Sequence, residues 1–298
     1  MNSESIKESM NYLRQQVGQA LEEIEKGEKT NLFDLSKKIN DGLEDRKGIP
    51  YIDKVYLYRY SKADAWNLCN LSLQQLSLSP VGRLNDMYEG VPIGKADNLS
   101  ALDRKILKEI VYMTCFSEDC DNSLMWAHYA DSSQGMCVEY DLSLLDRDHP
   151  IFNCLFPIFY TSKRYIRSSL SDIAAAQWGF QYNCEGKMYG DEAERELEGV
   201  EILYLTKGES WSYEKEWRIL VPKYKMIHLE HPVFENGTVP FACATKVLLG
   251  PRMSSDMKRF IKNIVAEIAE QRKKANLDIP IDVKEMKMQD DGYTLKEE

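Results

Sequence analysis

Three separated pieces of the sequence carry side chains able to do chemistry together: Arg59 in Leu57-Tyr58-Arg59-Tyr60, Ser117 at the end of Cys115-Phe116-Ser117, and the pair Glu214 and Glu216 around Lys215. Each lies in a segment that reads as a strand or a strand end. Residues two apart in an extended chain share a face, so Glu214 and Glu216 can point into one cleft. An arginine grips a phosphate bidentately. A serine hydroxyl adds a hydrogen bond, and paired carboxylates stabilise a cationic sugar. Together these groups suit binding of NAD and reaction at its glycosidic bond. The competing reading of Glu214-Lys215-Glu216-Trp217-Arg218 is that Arg218 pairs with a glutamate on a solvated strand face, with Trp217, Ile219 and Val221 on the other.

A second cluster is Asn122-Ser123-Leu124-Met125-Trp126-Ala127-His128-Tyr129. On a helix Trp126 and Tyr129 are neighbours, three positions apart, and either can stack on a planar ring such as nicotinamide. His128 is a candidate ligand contact or general base, although no partner histidine lies near it in sequence. The alternative makes Trp126 a core residue and His128 a simple hydrogen-bonding group. Arg59, between Tyr58 and Tyr60, needs an anionic partner if buried. Candidates are a ligand phosphate, Asp86, Glu89 or Glu216. Asn85 to Glu89 reads as a polar turn that caps either a ligand or a helix. Gly250-Pro251-Arg252 lacks the G-x-G-x-x-G pattern of a dinucleotide-binding turn.

The elements that must position these groups follow from periodicity. Ile6, Met10, Leu13, Val17, Ala20 and Ile24 form a heptad seam, and a second short helix follows to about residue 43. Residues 1–47 are thus an N-terminal helical hairpin, packed in cis or mediating self-association through residues 1–45. Residues 48–298 are expected to form one α+β domain, a central mixed β-sheet with inserted helices. Its expected strands are 54–60, 76–79, 111–117, 136–140, 158–160, 217–221, 246–250 and 281–288. Helices are predicted over 61–71, 99–111, 122–130, 169–180, 192–205 and 255–274, with an exposed loop over 184–191.

Composition narrows the partners. The 298 residues are 43% hydrophobic and 29% charged, as in ordinary globular proteins. A formal net charge of −10 argues against a large basic surface for nucleic acid. The seven cysteines include no C-x-x-C pair, which points away from a disulfide framework or zinc site. No basic segment followed by an apolar run opens the chain, and no apolar window reaches membrane-spanning length. A cytoplasmic location without membrane contact is the expectation.

Several ordered motifs resemble bacterial domain-of-unknown-function family twenty-nine seventy-one. They are Leu57-Tyr58-Arg59-Tyr60, Asn85-Asp86-x-x-Glu89, Cys115-Phe116-Ser117, Met125 to Ala130, Gly135 to Val138 and Trp211-x-Tyr213-Glu214-x-Glu216-Trp217-Arg218, spanning about Tyr56 to Leu249. More loosely, the order Arg59, Ser117, Glu214/Glu216 resembles ADP-ribosyltransferases of the arginine-serine-glutamate type. The chain departs from that type in having Cys-Phe-Ser for Ser-Thr-Ser and a long helical insertion before the glutamates. That second resemblance implies NAD as co-substrate and an unidentified macromolecular acceptor, in a toxin or anti-phage defence effector. Arg59 and Ser117 would hold NAD, Glu216 would bond the ribose hydroxyl, and Glu214 would orient or deprotonate the acceptor. Two alternatives stand beside it. One is a non-catalytic sensing or interaction module. The other is a nuclease with Asp86, Glu89 and the glutamate pair around a divalent metal.

Overall fold

Val111-Tyr112-Met113-Thr114-Cys115-Phe116-Ser117 is rich in β-branched and aromatic residues, and it forms a strand with both faces covered. The computed structural model describes residues 15, 18–19, 56–86, 88–89, 109, 111–145, 149, 151, 154–162, 204–222, 237–290 and 292–298. The expected N-terminal hairpin, its self-association seam, the boundary near residue 47, the helices predicted at 99–111, 169–180 and 192–205, and the 184–191 loop lie wholly or mostly outside these residues.

In chain order the described elements are β1 (Tyr56–Ser61), α1 (Ala65–Ser72), β2 (Gln75–Ser77), β3 (Ser79–Pro80), β4 (Val111–Ser117), α2 (Ser123–Tyr129) and β5 (Met136–Asp141). There follow β6 (Leu155–Pro157), β7 (Phe159–Thr161), β8 (Thr206–Gly208), β9 (Glu216–Pro222), β10 (Thr238–Pro240), β11 (Ala244–Leu249), α3 (Ser255–Lys274), β12 (Asp282–Met288) and β13 (Leu295–Glu297). The main sheet runs β13-β12-β11-β5-β1-β4-β9-β6, with β3 also on β4. Among the described strands of this sheet only β11 and β12 pair in parallel, joined through α3, so the sheet is mixed and the class is α+β. Among the described residues no helix is long and apolar enough to cross a membrane.

Local signals explain most boundaries. Asp64 caps α1 by accepting from Asn67 N at 2.9 Å, so Ser61 stays in β1 and the helix starts later than periodicity suggests. Ser254 caps α3, whose Ile261, Ile264, Val265 and Ile268 form one buried stripe. Each such side chain contributes about 1.5–3 kcal/mol by leaving water. Gly135 leads into β5 where a Cβ would lie 2.2 Å from the Ser61 carbonyl oxygen, so only glycine lets the two strand ends close.

Two expectations change. The 76–79 strand splits, because Leu78 N bonds to Gly237 O while β2 pairs with β10 and β3 with β4. Residues 158–160 do not join the main sheet. Ile158 N still donates to Glu216 O, but Phe159 N donates to Leu205 O, and β7 pairs in parallel with β8 as a separate ribbon. That departure carries β8 and its lysine beneath the end of β9.

Candidate functional site

β4 and β9 are antiparallel, with Ser117 opposite Glu216 and Cys115 opposite Arg218. Residues two apart on a strand share a face, so Glu216 and Arg218 lie side by side, with Ser117 and Cys115 opposite them. Glu214 is not part of this strand. It ends a 3-10 segment, Glu209–Glu214, and Lys215 turns the chain through the left-handed region at φ 43°. The Ser117 hydroxyl donates to Glu214 O at 2.7 Å and the Asn122 amide to Tyr213 O at 3.1 Å, which hold the turn. Lys215 Nζ reaches Asp119 Oδ2 at 2.5 Å on the outside. The two glutamates therefore converge through a turn, where simple alternation had placed both on a continuous strand.

Lys207 of β8 is where they meet. Its Nζ lies 2.6 Å from Glu214 Oε2, 3.1 Å from Glu216 Oε2 and 3.4 Å from Glu89 Oε1. Arg218 is fully buried. It donates from Nε to Glu216 Oε1 at 2.7 Å, from Nη2 to Glu216 Oε2 at 2.8 Å and from Nη1 to the Tyr204 carbonyl at 2.7 Å. It also donates to Glu89 Oε1. The charged face of β9 is therefore internal, which overturns the solvated-face alternative, although the expected Arg218–glutamate pairing is present. Three buried carboxylates surround two buried cations, an arrangement tolerable only because almost every oxygen is paired.

These partners separate the two acids. Burial raises the Glu214 carboxyl, the Glu216 charge adds to it, and Lys207 opposes; the net effect pushes it up to about 7. Burial also disfavours Glu216 ionisation, but Arg218 and Lys207 outweigh it and hold this carboxylate well below its ordinary value. Burial works against the Lys207 charge, yet Glu216 and Glu89 raise it above that of a free lysine. Tyr129 donates its hydroxyl to Glu214 Oε1, and burial and that bond keep the phenol protonated. One acid is thus poised to exchange a proton near neutrality, and its neighbour is a fixed anion.

A cleft of about 270 Å³ opens over this network. Arg59, Arg83, Tyr129, Lys207, Glu214 and Glu216 line it, together with Glu89 and Ser117. Arg59 is half-buried and donates from Nε to Thr114 Oγ1 at 3.2 Å; among the described residues it has no carboxylate partner, so Asp86, Glu89 and Glu216 do not neutralise it. Glu89 Oε2 is buried without a hydrogen-bond partner.

The structure therefore gathers Arg59, Ser117, Tyr129, Glu214 and Glu216 at one cleft, but it corrects three of the expected ligand contacts. Trp126 is fully buried in a small core with Cys137, Leu248 and Met286, stacks edge-on with Tyr60, and donates from Nε1 to Cys120 O at 2.7 Å; it does not line the cleft. His128 also lies outside the cleft, exposed, with Nδ1 3.0 Å from the Tyr213 hydroxyl. Ser117 lines the cleft but commits its hydroxyl to Glu214 O and to Asp119 N at 3.2 Å, so it positions the glutamate turn. Lys207 escaped the sequence reading. Its only cue was a lysine closing Tyr204-Leu205-Thr206, where apolar neighbours imply burial. Its ammonium stands among Glu89, Glu214 and Glu216, where the nuclease reading would put a metal ion, and Asp86 is not part of the network. No group of three or more His, Cys, Asp or Glu is placed to hold a metal ion among the described residues.

Residues 125–219 match the model of a family described as protein of unknown function (DUF2971). This segment is narrower than the Tyr56–Leu249 span of the resemblance. It includes Tyr129, Lys207, Glu214, Glu216 and Arg218, and leaves Arg59, Glu89 and Ser117 outside. Comparisons with curated proteins and with solved structures find no match.

Proposed function

We propose that the cleft binds NAD and transfers its ADP-ribosyl group, in the manner of an ADP-ribosyltransferase, to a macromolecular acceptor or to water. The observation that supports this reading is the pairing, in one cleft, of an arginine without a carboxylate partner among the described residues and a buried acid that titrates near neutrality. Arg59 takes a phosphate of the ligand. Glu89, Glu214 and Glu216 exceed Lys207 and Arg218 by one negative charge when Glu214 is ionised, and that excess faces positive charge developing on the ribose. Nicotinamide leaves with the electron pair of the broken bond, and Glu214 takes the proton of the incoming acceptor. Tyr129 and Lys207 fix the Glu214 carboxyl, while Arg218 fixes Glu216. The volume is near the lower end of ligand pockets, roughly 300–1,000 Å³, so one half of a dinucleotide sits inside.

The non-catalytic alternative draws on the near-complete pairing of the network, which suits a structural core as well. Nicotinamide release from NAD by the purified protein separates the two. Glu214→Gln should slow release by about a hundredfold or more and change NAD affinity little. Absence of both release and a calorimetric NAD signal overturns the proposal; binding with no release under any acceptor favours the sensing module.

A further inference from the structure

Among the charges lining the cleft, those at the glutamate end and Arg59 behave differently. Lys207 and Arg218 are saturated by Glu89, Glu214 and Glu216. Among the described residues Arg59 has only the Thr114 hydroxyl as side-chain partner, and Arg83, exposed at the same cleft, has no acid partner. Three cations and three carboxylates line the cleft, and the carboxylates are already engaged by Lys207 and by the buried Arg218, so the positive charge left to a ligand is that of Arg59 and Arg83. That end of the cleft suits an anion.

Glu89 supplies a second, independent requirement. It is only 5% exposed, and its Oε1 receives both Arg218 and Lys207. Its Oε2 has no hydrogen-bond partner among the described residues, and the residue lines the cleft. A buried carboxylate oxygen without a donor is costly, by more than the typical net value of a formed hydrogen bond. A ligand hydroxyl arriving there removes the cost, whereas a ligand without one leaves it in place.

We propose that the cleft selects a phosphorylated sugar: the phosphate sits on Arg59, and a sugar hydroxyl donates to Glu89. The volume of about 270 Å³ suits one such unit. This deepens the NAD reading, on which it rests for the ligand's ribose, and it assigns to Glu89 a specificity-determining role.

The test is calorimetric titration of the full chain with ribose 5-phosphate, inorganic phosphate and unphosphorylated ribose, alongside nicotinamide release from NAD. Ribose 5-phosphate should bind at least about tenfold more tightly than either fragment, the scale expected when a buried acceptor is left unpaired. Arg59→Ala should reduce the preference over ribose, and Glu89→Gln the preference over inorganic phosphate. Glu89→Gln also loosens Arg218, so the wild-type ligand series stands as the measurement independent of folding. Equal affinity for ribose 5-phosphate and inorganic phosphate, or no binding of either, overturns the proposal. The two readings fail separately: ribose 5-phosphate binding without NAD cleavage supports selection and removes transfer, whereas NAD cleavage without ribose 5-phosphate binding removes selection and leaves transfer.

Discussion

Replacing Glu214 with glutamine exchanges a buried acid for an uncharged side chain of nearly the same shape. The amide oxygen can still accept from Lys207, which lies 2.6 Å from Oε2, and the amide nitrogen can donate to the Tyr129 oxygen. The folded protein holds the Glu214 proton to about pH 7, against 4.5 for a free glutamate. That difference corresponds to about 3 kcal/mol of linked stability. The sign follows from which state keeps the proton. Below pH 4.5 both folded and unfolded chains are protonated here, and the group has no effect on stability. Between 4.5 and about 7 only the folded chain keeps the proton, so stability falls as pH rises, and above that range the loss is complete. Glu216 acts oppositely: its lowered value gives stability that is present above the ordinary carboxylate range and lost in stronger acid. Urea unfolding from pH 4 to 9 covers the Glu214 window, whereas the Glu216 loss falls in stronger acid, below that range. Relative to wild type, Glu214→Gln should gain about 3 kcal/mol over that span, because its side chain cannot ionise. Parallel stability curves for the two proteins would refute the placement of a strained, neutral-range carboxyl at this site.

Other substitutions test the remaining parts. Arg218→Met removes the fully buried guanidinium and leaves Glu89, Glu214 and Glu216 with Lys207 as their one shared cation among the described residues, and should cost about 3–5 kcal/mol in urea unfolding. Arg59→Ala breaks one hydrogen bond to Thr114, so unfolding should change by no more than about 1.5 kcal/mol while calorimetric binding of NAD is lost. Trp126→Phe loses the bond to Cys120 O and some core volume, with an expected cost of about 1–3 kcal/mol and no change in ligand affinity. Gly135→Ala drives a Cβ to 2.2 Å from the Ser61 carbonyl, and a melting temperature lower by several degrees is expected.

Local chemistry made part of this protein legible in its sequence. The residue types of Val111–Ser117 gave the bounds of β4, and the 3.6-residue stripe after Ser254 gave the whole of α3. Asn122 could be read as a cap because its amide oxygen needs only the nearby Leu124 N. Arg59, Ser117, Glu214 and Glu216 stood out as polar groups in strands or strand ends, and Tyr129 as a helical neighbour of Trp126, and all five line one cleft. Their roles were not identifiable. Alternation along an extended strand would bring Glu214 and Glu216 together, but the left-handed Lys215 and the Lys207 ammonium achieve it by another route. Trp126 looked like a stacking platform because helical spacing gives a residue's neighbours and not which side the sheet will cover. Glu89 and Arg218 are 129 residues apart, and no local propensity links them. Only the tertiary packing that brings Lys207 of β8 and Glu89 to Glu214, Glu216 and Arg218 decides which charges are buried together, because desolvation and Coulomb energy depend on distance in space, and the chain's order leaves that distance open.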